Sequence, residues 1–128
     1  MPDWTSYKDA AKARGALALD LFMVHTVPVP GGPAVPDILP DHLAYQRQLE
    51  SDGSLFLAGP LSDDTGTQIE GAGLVILRAQ SLDHARALAD ADPMHSLGAR
   101  SYTLRRWLVN EGSLTLSLGL STATITLA

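Results

Sequence analysis

The chain has 128 residues, which is enough for one hydrophobic core and too few for two ordinary domains. Its composition, with 45% apolar and 18% charged residues, is that of a globular protein and excludes a disordered chain. The net charge is −5 and no run of Lys or Arg offsets it, so the sequence carries no footprint for nucleic acid or anionic lipid.

Cysteine and long apolar segments are both missing from the sequence. Without cysteine there is no disulfide, no thiolate metal site and no Cys nucleophile, which fits a reducing compartment. The most apolar stretch, residues 16–24, is interrupted by Asp20 and is about half as long as a membrane span. Asp3 and Asp9 precede this stretch and do not fit an export signal. We therefore expect a cytoplasmic protein without a membrane segment.

The chain begins with a predicted helix, a strand and a loop. Good helix formers occupy residues 5–14. Residues 18–27 are rich in β-branched and aromatic side chains and predict a strand that is covered on both faces. Four prolines and two glycines follow within residues 28–36, which predicts a loop.

A second helix is predicted after this loop, over residues 41–52. Pro40 suits the first turn of such a helix, where its missing N–H costs no hydrogen bond. The expected buried stripe consists of Leu39, Leu43 and Leu49.

The second half of the chain predicts three strands, one helix and an apolar tail. The strands are expected at residues 55–58, 71–79 and 102–109, with a hairpin loop at residues 62–67 between the first two. Ser81 suits the N-cap of a helix over residues 82–91, which has to end before Pro93. Leucine alternates with Ser and Thr in residues 113–127 and predicts one or two further strands.

The predicted elements follow the order β-α-β-β-α-β, which is a ferredoxin-like α+β arrangement with an antiparallel sheet and helices on one face. The other face of this sheet is too apolar for water, so we expect a second copy of the chain to cover it in a homodimer. We predict one domain, with a core at about residues 17–112, an N-terminal helix within 1–15 and a C-terminal strand extension over 113–128.

His42 is the first residue that invites a functional interpretation. Leu39 and Tyr45 lie three residues away on either side and place it toward the apolar side of the predicted helix. In a first turn, the helix N-terminus disfavours an imidazolium and keeps the ring neutral and able to accept a proton. A partly exposed histidine at a helix start would give the same pattern.

Asp92 breaks the pattern of the next helix. It continues the buried stripe of that helix, which consists of Leu82, Ala85, Leu88 and Ala89. A carboxylate there faces inward and lies at a helix C-terminus, where the dipole opposes negative charge. A group placed against both preferences usually has a partner or a function. The alternative is that Asp92 only hydrogen-bonds the turn ahead of Pro93.

Several short segments, taken in order, resemble the YCII-related family. They include PDHLAY at residues 40–45, LESDGSL at 49–55, AGPL at 58–61, GAGLVI at 71–76, SLDHA at 81–85, ADPM at 91–94 and RW at 106–107. Together they extend from about Leu21 to Trp107. Each segment is short, and their order and spacing make the set specific.

The resemblance implies a ferredoxin-like dimer of the dimeric α/β barrel type, with a cleft beside the sheet. It also implies a His–Asp pair as the active site, and by motif these residues are His42 and Asp92. Members of this family include a dehydrochlorinase that acts on a chlorinated hydroxyhydroquinone. The loop at residues 28–36 and both terminal extensions lie outside the family core and affect the shape of the pocket.

A His42–Asp92 pair would be chemically competent. A carboxylate bonded to one imidazole nitrogen fixes the tautomer and raises the basicity of the other nitrogen. That nitrogen could take a proton from a hydroxyl or an acidic carbon of a small organic molecule, in elimination, isomerisation or lactone-type chemistry. The alternative class is a non-catalytic dimeric module that binds a ligand or serves assembly.

Other residues are weaker candidates for binding a substrate. His25 ends the first strand, and His95 follows Asp92 closely enough to line the same cleft. Arg106 could bind a substrate carboxylate or phenolate, or pair with Asp20 across the sheet. Tyr45 is most simply a core or interface aromatic.

Neither a metal nor a cofactor is predicted. His25, His42 and His95 with Asp92 have suitable residue types for a metal, but no pair has a compact ligand spacing. The glycines in residues 71–73 are no nucleotide fingerprint, because no helix follows them.

Overall fold

This computed structural model describes residues 1–127, which contain four helices and six strands. In chain order they are α1 (Trp4–Ala13), β1 (Leu19–Pro28), α2 (Val35–Ser51), β2 (Leu55–Ser62), β3 (Ile69–Leu77), α3 (Leu82–Asp90), α4 (Pro93–Ser96), β4 (Arg100–Val109), β5 (Leu116–Gly119) and β6 (Thr124–Leu127). The predicted α+β class is confirmed. In this part of the chain, no helix is both long enough and apolar enough to cross a membrane.

Four strands form the main sheet, in the order β2-β3-β1-β4. β1 and β2 both run antiparallel to β3, and Val24 and Ala58 are both opposite Val75. β2 lies at an edge of the sheet, and it continues through Gly59 and Pro60, beyond its predicted end at Ala58. An edge strand tolerates proline because one side of its backbone needs no sheet partner.

The start of α2 is the main correction to the sequence-based boundaries. The helix begins at Val35, six residues before the predicted start at Asp41, so the loop after β1 is correspondingly shorter. Pro36 lies in the first turn, where a proline costs no hydrogen bond, whereas Pro40 lies inside the helix and removes one. His42 is therefore about two turns from the helix start. The expected effect of the helix N-terminus on its ring was wrong.

The core of residues 20–107 packs α2 and α3 against the same face of the sheet. The buried residues of this cluster are Phe22, Val24, Leu49, Leu77, Ala85 and Ala89. They come from β1, α2, β3 and α3, so α2 and α3 both cover the face that carries Phe22 and Val24. Ser81 caps α3 as predicted, since its side chain accepts a hydrogen bond from the His84 amide at 3.0 Å.

A second buried cluster holds the start of α2 against α4. It consists of Ile38, Met94 and Ala99, with Val35 packed against it. α4 has only four residues, and Asp92 is its N-cap. This cluster fixes the two segments that carry the predicted His–Asp pair.

The remaining described residues, 1–19 and 108–127, form a separate unit. Asp3 caps α1 by accepting a hydrogen bond from the Ser6 amide at 2.8 Å. The Leu17 amide donates to the Asn110 carbonyl at 2.9 Å. β5 and β6 form an antiparallel hairpin with Leu118 opposite Ile125, so the predicted C-terminal strands are present.

Leu77→Ala tests the core under α2 and α3. Leu77 is 1% exposed, so its truncation should lower the free energy of unfolding by about 2–5 kcal/mol through lost burial and a residual cavity. Leu57→Ala removes the same atoms from a side chain that is 57% exposed and should cost much less. Urea denaturation of both variants measures the difference. Equal losses in the two variants would contradict this account of the core.

Candidate active site

A cavity of about 450 Å³ lies within residues 20–107. Its polar lining consists of Thr26, His42, Gln46, Asp92, His95 and Arg100. Leu39 and Leu43 also line it, and each is 41% exposed. The predicted buried stripe of α2 was therefore wrong at these two positions, and Ile38 takes part in the core instead. The two leucines supply apolar surface to the cavity.

His42 and Asp92 both line this cavity and are in direct contact, although they are 50 residues apart in the sequence. Nδ1 of His42 lies 2.9 Å from Oδ1 and 2.8 Å from Oδ2 of Asp92. The side chains are 17% and 9% exposed, so the hydrogen bond is largely screened from water.

Asp92 is held by its own backbone surroundings as well as by His42. It follows α3 and caps α4, and its Oδ1 accepts a hydrogen bond from the Met94 amide at 2.9 Å. The predicted conflict with a helix C-terminus was therefore wrong, because a carboxylate is a favoured N-cap. The two alternatives for Asp92 are both realised, since it bonds the turn ahead of Pro93 and also faces a partner.

These contacts assign a role to each nitrogen of His42. An ionised Asp92 only accepts hydrogen bonds, so the proton of the neutral ring lies on Nδ1. Nε2 then carries a lone pair, and it has no hydrogen-bond partner among residues 1–127. A ring fixed in this tautomer by a carboxylate has the arrangement of a general base.

A second polar network lines the same cavity and was not predicted. Arg100 donates from Nε to Oγ1 of Thr26 and from Nη2 to the Thr26 carbonyl, both at 3.0 Å, and also from Nη2 to the Gly71 carbonyl. Oγ1 of Thr26 lies 2.9 Å from Nε2 of His95, and Nδ1 of His95 lies 2.7 Å from the Ala89 carbonyl. The prediction that His95 lines the cleft beside Asp92 agrees with this placement.

Asp92 also acts electrostatically on two neighbouring groups. Burial raises the pKa of the Tyr45 phenol, and the carboxylates of Asp92 and Asp52 raise it further. Burial lowers the pKa of the Arg100 guanidinium, whereas the charge of Asp92 opposes this shift. Arg100 remains protonated, because its unperturbed pKa is far above neutral.

Three other predicted site residues lie elsewhere. Tyr45 donates a hydrogen bond to the Leu88 carbonyl at 2.7 Å and lines a separate space of about 10 Å³ beside Asp92 and His95. Arg106 pairs with Asp20 at 3.7 Å, which was the alternative expected for it. Neither Arg106 nor His25 lines the 450 Å³ cavity, so nothing in this cavity supports a substrate contact for them.

Metal-ligand geometry is also missing from the part of the chain that the structure describes. No group of three or more His, Cys, Asp or Glu side chains is placed there to hold a metal ion. His42 and His95 each use a ring nitrogen for a protein oxygen, Asp92 in one case and Ala89 in the other.

The sequence did contain a signal for Arg100. β4 begins at Arg100, two residues before the predicted start at Tyr102. Strand alternation places Arg100 on the same face as Tyr102 and Leu104, which pack against the core under α2 and α3. Extending the predicted strand by two residues would have pointed Arg100 toward this side of the sheet.

A protein-family model for the YCII-related domain matches residues 21–108. The match covers most of the chain and contains both His42 and Asp92. The chain therefore belongs to the YCII-related domain family, as its motifs predicted.

Curated relatives agree with this assignment. The uncharacterized protein YjpA of Bacillus subtilis (strain 168) is 30% identical over 70 residues, which are 55% of this chain and 75% of that protein. Protein YciI of Escherichia coli O6:H1 is 38% identical over 65 residues, which are 48% of this chain and 66% of that protein.

A solved structure is similar as well. It is 5-chloro-2-hydroxyhydroquinone dehydrochlorinase (TftG) from Burkholderia phenoliruptrix AC1100, in complex with 2,5-dihydroxybenzoquinone. The TM-score is 0.56 at 28% sequence identity, over 68% of this chain and 92% of that one. The dehydrochlorinase thus shares its fold with most of this chain.

Asp92→Ala tests the assigned tautomer. The variant loses the acceptor for Nδ1 of His42 and the cap of α4, so the free energy of unfolding should fall by about 1–3 kcal/mol. Long-range ¹H–¹⁵N NMR should find the His42 proton on Nδ1 in the wild type and lose this preference in the variant. Asp41→Ala, which removes an exposed carboxylate next to His42, is the control and should leave the tautomer unchanged. A wild-type proton on Nε2 would contradict the assignment.

Proposed function

We propose that the chain is an enzyme in which His42 is a general base and Asp92 orients it, acting on a small organic molecule. The observation that carries the proposal is the hydrogen bond that Nδ1–H of His42 donates to the Asp92 carboxylate, with its two oxygens at 2.8 and 2.9 Å, on the wall of a cavity. It leaves Nε2 as the nitrogen that can take a proton.

The proposed step is proton removal from a hydroxyl or an acidic C–H group. Nε2 of His42 takes the proton, and the negative charge of Asp92 stabilises the imidazolium that forms. The bond electrons remain on the substrate, where they can expel a leaving group, move a double bond or attack a neighbouring carbonyl. Elimination, isomerisation and lactone-type chemistry share this first step.

The size of the cavity and the similar enzyme support a small oxygenated ring as the substrate. A volume of about 450 Å³ is within the usual range for small-molecule pockets. The dehydrochlorinase TftG is named for a chlorinated hydroxyhydroquinone, and its structure holds 2,5-dihydroxybenzoquinone. We propose that this chain takes a substrate of the same size class.

A non-catalytic ligand-binding module is the second candidate. Asp92 has a structural task in capping α4, where its Oδ1 accepts from the Met94 amide. In that case the bond from His42 would serve to hold α2 against α4, and the cavity would bind a metabolite without converting it.

We further propose a ferredoxin-like homodimer in which the sheet face away from α2 and α3 meets a second copy. Met23 and Leu74 on this face are only partly buried, and Trp107 is 45% exposed. Leu21 and Ile76 of the same face are already buried in one chain, so only part of this face is available for contact. The single-domain organisation and the cytoplasmic location stay predictions.

His42→Gln tests the catalytic proposal. Wild-type protein is incubated with 5-chloro-2-hydroxyhydroquinone and a panel of enols and lactones, and product formation is followed by chromatography and mass spectrometry. For any compound that turns over, the variant should lose on the order of 10²–10⁴-fold in kcat, because the general base is missing. His84→Gln changes an exposed histidine on α3 and should leave kcat unchanged.

Two outcomes would contradict the catalytic proposal. One is a His42→Gln rate within about twofold of the wild type, since a lost general base costs far more. The other is wild-type protein that binds compounds in the cavity without converting any of them, which would favour the ligand-binding module.

Sedimentation equilibrium tests the homodimer. The expected mass is twice the 13.6 kDa of one chain, because apolar side chains on the open face favour pairing. Trp107→Glu should shift the equilibrium toward the monomer, whereas Glu111→Gln, an exposed position beyond β4, should not. A wild-type monomer at high concentration would contradict the proposal.

A further inference from the structure

Arg100 gives the cavity a fixed positive charge. It is the only Lys or Arg side chain among the described residues that line the cavity. It belongs to β4, yet it reaches over the neighbouring strand β1 to the Gly71 carbonyl on β3. Hydrogen bonds to two strands hold the guanidinium in one place.

Gly71 is a required part of this arrangement. Its φ of +103° lies in a region that favours glycine, and a Cβ at this position would meet Cγ of Pro28 at 2.7 Å. Only glycine can therefore present its carbonyl to Arg100 from this backbone conformation.

The hydrogen bonds of Arg100 leave part of its guanidinium without a protein partner. The single Nε–H and the two N–H groups of Nη2 are used by Thr26 Oγ1, the Thr26 carbonyl and the Gly71 carbonyl. The two N–H groups of Nη1 have no acceptor within residues 1–127.

Within residues 1–127 no carboxylate contacts Arg100 as a counter-ion either. All three acceptors are neutral oxygens, which orient the guanidinium without cancelling its charge. The carboxylate of Asp92 is engaged by His42 and by the Met94 amide and acts on Arg100 only over a distance. A half-buried cation without a bonded carboxylate is costly unless a ligand supplies the negative charge.

His95 does not compete for such a ligand. Its Nδ1 bonds the Ala89 carbonyl and is therefore protonated. In the neutral ring Nε2 is then the acceptor, so the Thr26 hydroxyl, whose oxygen accepts from Arg100, donates its own proton to Nε2 of His95. Both nitrogens of a neutral His95 are thus used, and the ring serves to orient the Thr26 hydroxyl that holds Arg100.

We infer that Nη1 of Arg100 is a subsite for an anionic oxygen and that the ligand of this cavity is a small organic anion, with a carboxylate or an ionised phenol or enol. This inference rests on the proposed function for the placement of the substrate in the same cavity. It narrows the substrate class to molecules that carry a negative charge before His42 removes a proton. Charge that develops on the substrate in that step also faces a fixed cation.

Paired ligands with the same ring and different charge test the subsite. The probes are 2,5-dihydroxybenzoquinone against 2,5-dimethoxybenzoquinone, and benzoate against benzamide, titrated into the full chain by NMR at neutral pH and low salt. The anion of at least one pair should bind on the order of tenfold or more tightly than its neutral partner, because hydrogen bonds from a guanidinium to an anion are charge-assisted. Added salt should reduce the preference.

Arg100→Gln should abolish the preference and leave the affinity for the neutral probe nearly unchanged. Arg47→Gln is the matched control, since it removes the same charge from an exposed position on α2 that does not line the cavity. Circular dichroism checks that the variants are folded. Arg100→Lys keeps the charge but cannot make all three protein hydrogen bonds, and it should retain a weaker preference.

Three results would overturn the inference. They are equal binding of anion and neutral probe by the wild type, an equal loss in the Arg47→Gln control, and binding of neutral probes alone. The titration measures binding without turnover and so separates the two proposals. If the wild type converts no compound and His42→Gln still prefers anions, the catalytic proposal is wrong. The anion subsite is then still supported.

Discussion

The hydrogen bond between His42 and Asp92 is the interaction on which the candidate site depends. Asp92 can make it because α3 ends just before it and α4 begins just after it, so that its carboxylate caps α4 and faces α2. The cluster of Ile38, Met94 and Ala99 packs the same segments together. Since protein interiors are closely packed, this cluster limits how far the two side chains can separate. The His42–Asp92 pair is therefore positioned by core packing as well as by its own hydrogen bonds.

The sheet contributes a second, independent constraint to the cavity. Arg100 joins β4 to β1 and β3 through neutral oxygens only, which fixes the position of a cation while leaving its charge available. The helices thus supply an imidazole nitrogen without a partner among the described residues, and the sheet supplies a positive charge to the same cavity. A site with these two parts suits a ligand that is already negative and still has a proton to lose.

Much of the fold could be predicted from local patterns, and the start of α2 could not. Pro36 and Pro40 are both compatible with a first helical turn, so the local rules for proline do not choose between them. Packing decides, because a helix that begins at Val35 buries Ile38 against Met94 and Ala99. That contact spans more than fifty residues of sequence and has no local signature. The early start also shows why Leu39 was misplaced, since it lines the cavity instead of the core.

Sequence reasoning found the site residue that broke a local pattern. It missed the residue whose place in the cavity depends on where a strand begins. Asp92 was found because it continued a buried stripe, although the reasoning about a helix C-terminus was wrong. Arg100 was missed because β4 was expected to begin at Tyr102, which left Arg100 outside the predicted strand. A strand boundary two residues in error is enough to hide a charged lining residue.

His42 and His95 show most clearly what three-dimensional partners add to a sequence. Both are histidines on the wall of one cavity, and apart from the family motif around His42 no local pattern distinguishes their roles. Each has Nδ1 bonded to a protein oxygen, a carboxylate for His42 and a carbonyl for His95. The difference lies at Nε2, which bonds Thr26 in His95 and has no partner within the described residues in His42. A base must have a free lone pair, so only His42 has the arrangement of a general base, whereas His95 orients the Thr26 hydroxyl.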